Sequence, residues 1–282
     1  MIESAFPVNE VNPLVEIPSN IPLMGFLGGG QGNEINEAIK KDYKGFYALQ
    51  IAKYSDSVIK SSNPFYVVAV QNRLPSGVDV ATQADLEKAL RCGSMDFRGT
   101  YEDTELVLRT NDDPNSYLAD NLMNQVKQRG KKKMPIMIPL RGLELEKDTN
   151  SPYGLTFKLK ENAELIYSPT LNKDNGYFLS TDINEKTGLP KKLGKGERYL
   201  YTRNKGLSRL YLNRSLNLYS RNDDLAISNA VGRVVLVSTA EGGSRSFLED
   251  RMEELQTQRD SQINEINKRY NRAKAILKGE KK

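Results

Sequence analysis

The stretch 207–221 alternates with a period of two, and this pattern constrains the fold more than any other in the chain. Leu210, Leu212, Leu216 and Leu218 occupy even positions, interrupted by Arg214, while Arg209, Tyr211, Asn213, Ser215, Asn217, Tyr219 and Arg221 occupy odd ones. Successive side chains of a strand point to opposite faces. The pattern therefore predicts a strand with leucines toward a core and a polar, aromatic, cationic face toward solvent. The preceding segment adds Tyr199, Tyr201 and Arg203 on one parity. Pairing of the two segments would collect four tyrosines and several guanidinium groups on one exposed face.

Those residue types suit single-stranded nucleic acid, because cations neutralise phosphates and aromatic rings stack on bases. The candidate binding residues are Tyr199, Tyr201, Arg203, Arg209, Tyr211, Tyr219 and Arg221, with Lys191, Lys192 and Lys195 in the flanking Gly/Pro loop as backbone contacts. Charge is distributed to match. Residues 186–221 carry ten basic side chains against one acid, Glu197. Residues 1–126 hold 10 basic and 17 acidic side chains (net −7), whereas 127–282 hold 31 and 19 (net +12). Such a split marks a half that faces something negative. That something is nucleic acid or an acidic protein surface, and the acidic first half is itself such a surface, in cis or in a neighbouring subunit. Tyrosine and arginine also suit any solvated sheet face, since ring and stem cover apolar surface.

The first half mixes helical and strand signals. Residues 1–32 contain Pro7, Pro13, Pro18 and Pro22, no basic residue, and a closing Gly28-Gly29-Gly30-Gln31-Gly32. They read as an extended apolar arm with a glycine hinge, lying on its own domain or across a neighbour. The glycines precede a helical pattern but lack a following Gly-Lys-Ser/Thr, which argues against a phosphate loop. Asn33 to about Lys60 follows a helical period, weakened at Gly45. Phe65 to Val70 is β-branched and aromatic, which predicts a buried strand. Thr82 caps a short helix reaching about Arg91, with Asp85 three residues on. Glu105 to Arg109 reads as a strand, and Asp113-Pro114 as the start of a helix to about Gln128.

Past the basic run 127–133, read as a helix end, solvated loop or anion-binding loop, the character turns to β. Candidate strands cover 135–140, 153–160, 163–168, 176–180, 198–203, 207–221 and 232–239, separated by Asn/Asp/Gly/Pro turns. From Ser244 a long amphipathic helix follows. Leu248, Met252, Leu255, Ile263, Ile266, Tyr270 and Leu277 form a narrow apolar stripe with a register shift near Arg259, a seam suited to a coiled coil. The expected fold class is α+β: a mixed α/β first half, an antiparallel β-rich second half, and the C-terminal helix. Its parts are 1–32, 33–134, 135–241 and 242–282.

Composition narrows the chemistry. The chain has no histidine and one cysteine, Cys92. Histidine-based nucleophile pairs and N/S zinc sites are thereby excluded. A lone cysteine fits a reducing compartment and reads as a small apolar filler. No run of apolar residues is long enough for a membrane span, and no secretory signal pattern opens the chain. Carboxylates cluster at Glu102, Asp103 and Glu105, at Asp112 and Asp113, at Glu144 and Glu146, and at Asp223 and Asp224, without a metal-nuclease spacing. The expectation is a non-enzymatic, sequence-tolerant nucleic-acid-binding protein, cytoplasmic or in a virion assembled there, with no cofactor and no metal. It would form homo-oligomers through its C-terminal helix. The alternatives are an assembly protein of a multimeric particle and a carboxylate/metal hydrolase.

Overall fold

A computed structural model describes residues 23–238, apart from 132, 173 and 174, and helical residues within 260–274, apart from 262 and 273. The first half alternates strand and helix: β1 (Leu23–Phe26), α1 (Gly29–Asp42), the hairpin β2 (Lys53–Ser55) and β3 (Val58–Lys60), then α2 (Pro64–Gln71). It continues through β4 (Val78–Val80), α3 (Gln83–Cys92), β5 (Tyr101–Leu108) and α4 (Ser116–Gln128). The second half is built of strands: β6 (Ile136–Pro139), β7 (Leu143–Lys147), β8 (Leu155–Leu159), β9 (Ile166–Tyr167) and β10 (Gly176–Phe178). After them come β11 (Arg198–Tyr201), β12 (Leu207–Leu212), β13 (Leu218–Tyr219), β14 (Gly232–Arg233) and β15 (Val235–Ser238). The protein is an α+β fold, as its patterning predicts.

Several elements differ from the sequence expectation, each for a physical reason. The helix from Asn33 ends at Asp42, because Gly45 takes φ 92° and the chain then turns into the β2–β3 hairpin through Asp56 and Ser57, both at positive φ. Phe65–Val70 is helical, not extended. Pro64 sits at its first turn, the Asn63 side chain accepts from the Tyr66 amide at 2.8 Å, and every residue from Pro64 to Val70 is buried. A helix enclosed on all sides has no polar face, so its sequence carries no 3.6 period to distinguish it from a buried strand. The glycine run is not a hinge: Gly29 to Gly32 open α1, and a Cβ at Gly28 would lie 2.3 Å from the Ser57 carbonyl oxygen. Residues 23–27 likewise belong to the folded body, with Met24 and Leu27 buried. Pro114 lies outside α4, which starts after Asn115. The α3 cap is as expected, with Thr82 and Asp85 exchanging both bonds of a capping box.

Strand β5 is the axis of the molecule. Its main sheet runs β10-β11-β13-β12-β5-β6-β9, and β14 pairs with the start of β5 beside β6. A second sheet, β1-β15-β4, follows directly from β14. One core lies under α2, α4 and the β7–β8 hairpin and takes Leu106 and Leu108; the other takes Val107, Leu200, Leu210, Leu212 and Leu218 with Leu86 of α3. Central strands covered on both faces read as apolar runs rather than alternating ones. Alternation survives toward the β10 edge, where one face is open.

Candidate nucleic-acid interface

The predicted strand 207–221 is a hairpin. β12 ends at Leu212 and β13 begins at Leu218, with Asn213 Oδ1 accepting from the Ser215 and Asn217 amides and Leu216 at φ 63°. Tyr211 therefore pairs with Tyr219, and Tyr201 pairs with Tyr219 from the other side. Residues directly opposite on paired strands share a face, so the hairpin gathers what a single strand would have spread along its length.

The result is a continuous row of tyrosines across five neighbouring strands. Ring centroids follow one another from Tyr101 to Tyr211 (5.6 Å), Tyr219 (5.3 Å), Tyr201 (4.1 Å), Tyr199 (4.6 Å) and Tyr177 (4.7 Å). The spacing follows from strands set about 4.8 Å apart. Orientation divides the row. Tyr211, Tyr219 and Tyr201 stack on one another with interplanar angles of 21° and 27°, which uses up their faces. Tyr177 and Tyr199 stand at 85°, and Tyr177 is 54% exposed. Free ring surface is therefore concentrated at the β10–β11 end.

All four predicted tyrosines, 199, 201, 211 and 219, lie in this row. The predicted arginines divide. Arg221 is exposed and its guanidinium lies 4.8 Å from the Tyr201 ring centroid and 5.6 Å from that of Tyr219. Arg203 is half-buried, 3.3 Å from Asp223, and donates to the Arg221 carbonyl. Arg209 does not face solvent as parity suggests. It is buried, 3.4 Å from Asp103 Oδ1, with its guanidinium 4.8 Å from the Tyr211 centroid. The cause lies in the register: β5 sets Leu106 opposite Arg209 and, past a bulge at Leu210/Tyr211, the buried Asp103 opposite Tyr211, so the guanidinium reaches along the same face to that carboxyl. Lys191, Lys192 and Lys195 are exposed in the loop that a Gly194–Tyr177 bridge holds beside β10, with Lys192 3.8 Å from Asp182.

Tyr101 and Tyr177 belong to the row without having been singled out. Tyr177 falls in the candidate strand 176–180, but only the register of β10 on β11 sets it opposite Tyr199. Tyr101 lies outside every candidate strand, because β5 begins four residues before the predicted one. For the same reason Glu102, Asp103 and Glu105 lie inside β5, buried, rather than before it. Burial pushes the carboxyls of Glu102 and Glu105 up to about 8. Burial raises Asp103 too, to about 6, with Arg209 opposing.

Two further buried arginines brace the sheet. Arg198 makes two 2.6 Å bonds to Glu87 of α3. Among the described residues Arg109 has neutral acceptors alone, including the Leu171 and Ser220 carbonyls and the Ser208 and Ser220 hydroxyls, and burial pulls it down to about 9. Among the other acids, Asp223 pairs with Arg203 and Asp224 accepts from the Ala226 and Ile227 amides, which is turn chemistry. Glu144 and Glu146 are exposed on β7, and Asp112 and Asp113 are exposed before α4. Among the described residues no three His, Cys, Asp or Glu side chains are grouped to hold a metal, and no helix is long and apolar enough to cross a membrane. Cys92 is exposed rather than buried.

Of the predicted seam, Ile263, Ile266 and Tyr270 are helical and exposed, and Glu265 pairs with Arg269 one turn on. Leu248, Met252, Leu255 and Leu277 lie outside the described residues. Comparison of the chain with protein-family models, with curated protein sequences and with solved structures returned no match.

Proposed function

We infer that the protein binds single-stranded nucleic acid, without sequence preference and without catalysis, at the β10–β11 end of the tyrosine row. The observation that carries the reading is the meeting of ring surface and exposed positive charge there. Tyr177 and Tyr199 present the least occupied rings, Lys191, Lys192 and Lys195 border them, and Arg221 sits on the neighbouring Tyr201. Ring pairs 4.1–5.6 Å apart leave no room for an inserted base, which needs about 7 Å, twice an optimal carbon contact. Bases would thus lie on the row and not within it. A stacked base is worth about 1–3 kcal/mol, and every base has a face to offer, so such a site tolerates sequence.

Filter binding of labelled single-stranded oligonucleotides at two salt concentrations tests the reading. Three or four phosphate contacts predict a slope of log affinity against log salt of about −2 to −3. Tyr177→Ala and Tyr199→Ala should each weaken binding about tenfold or more. Absence of salt-sensitive binding at micromolar protein would reject the function.

A second reading, an assembly protein of a multimeric particle, is favoured by one observation: Ile263, Ile266 and Tyr270 are 47%, 65% and 62% exposed along a single helix. Apolar side chains at three/four spacing on an otherwise charged helix are the pattern of a helix that meets another helix. The two readings are compatible, since cooperative binding along a strand benefits from self-association.

A further inference from the structure

On the face of β11 opposite the tyrosine row lies a cavity of about 740 Å³, bounded by the end of α3, the segment 93–98, the segment 180–183 and Leu216. Small-molecule sites commonly fall at about 300–1,000 Å³. Its walls combine two chemistries. Leu90, Met95, Ile183 and Leu216 contribute apolar surface continuous with the second core. The Arg198–Glu87 pair contributes a floor whose charges cancel, both side chains being 5% exposed.

The backbone around the cavity is held under constraint. Leu216 adopts φ 63°, a conformation that L side chains rarely take, and its carbonyl accepts from Arg198 Nε. Strain of this kind persists where the surroundings enforce it, commonly at ligand sites. The rim carries two arginines, each beside a solvated carboxylate, one of them Asp96 of the cavity wall. Arg91 and Arg98 pair with Glu185 and Asp96, whose side chains are 73% and 65% exposed. Solvated pairs of this sort contribute little, so either guanidinium can turn its planar fork to an incoming anion. The carbonyls that end α3 disfavour negative charge against the helix itself, which leaves the Arg98 side of the rim for the anionic group and the interior for an apolar body.

We propose that this cavity binds a small organic anion with an aromatic or acyl body, independently of the nucleic-acid surface. The chain has no tryptophan, which makes fluorescence a clean readout. Titration with 1-anilinonaphthalene-8-sulfonate should give saturable one-to-one enhancement. The double variant Arg91→Ala/Arg98→Ala, confined to exposed side chains, should weaken it about tenfold. Met95→Trp places a reporter in the wall, and its emission should be quenched by the bound dye. Tyr199→Ala, on the other face, should leave dye affinity unchanged. Lack of saturable binding overturns the proposal. So does binding that both the rim variant and the Met95→Trp reporter fail to sense, because the dye then sits elsewhere. Far-ultraviolet circular dichroism establishes that each variant is folded.

Discussion

Glu102, Asp103 and Glu105 sit buried on the central strand with their carboxyls shifted upward, and this governs how stability depends on pH. In the unfolded chain Glu102 and Glu105 titrate at the usual 4.5, whereas in the fold they hold their protons to about 8. Between those values the folded state binds more protons than the unfolded state. Stability from these groups is therefore fully present below about pH 4.5 and is lost as pH rises through 8, by about 1 kcal/mol per pH unit for each carboxyl. Urea unfolding at pH 5.5 and pH 8 should show the protein weaker at the higher pH. Glu102→Gln should flatten that difference by roughly half; an equal slope in the variant would contradict the assignment. Arg209 illustrates the same burial from the opposite side. Parity places it on the face of the tyrosine row, where it lies against Tyr101 and Tyr211, but its pairing with the buried carboxyl of Asp103 goes with a covered rather than a solvated guanidinium.

Among the elements, α2 shows most clearly how tertiary context overrides local pattern. Its residues read as a strand, yet the Asn63 side chain fixes a helix start and also donates to the Ala48 and Ala226 carbonyls at 2.9 and 2.8 Å. Losing a typical cap costs about 1 kcal/mol, and stranding two buried carbonyls adds about 1 kcal/mol or more each. Asn63→Ala should thus cost clearly more than Thr82→Ala, where the lost cap stands nearly alone. Comparison of denaturant midpoints decides it; equal losses would mean that the two carbonyls find other partners. The α3 cap, by contrast, was legible because a capping box is written in adjacent residues. The hairpin at 213–217 was half-legible: Arg214 already interrupted the leucines, and Asn213 supplies the turn by accepting from the Ser215 and Asn217 amides.

For the whole molecule, the two halves defined by charge share one sheet, since β5 from the acidic half lies between β12 and β6 of the basic half. Part of the charge contrast is therefore neutralised inside the fold, through Arg198–Glu87 and Arg209–Asp103. The surplus that remains outside is carried by exposed groups such as Arg221, Lys191 and Lys195. The C-terminal helix contributes at this scale. Removal of residues 244–282 should lower the number of chains per particle, taken as the mass by light scattering divided by the chain mass, while leaving the unfolding midpoint of the body within experimental error. An unchanged number of chains would reject self-association through the seam.

The sequence by itself determined the α+β class, the β-rich second half, the capping of α3 and the placing of Tyr199, Tyr201, Tyr211 and Tyr219 on one sheet face. Each of these rests on contacts between residues near in sequence or on strand parity. Tertiary structure alone decided which tyrosines meet, that Tyr101 and Tyr177 extend the row, that Arg209 faces a buried acid, and that Phe65 to Val70 coils. Those outcomes depend on strand register and on burial from all sides. Both are set by partners distant in the chain, and neither leaves a periodic trace in the segment it controls.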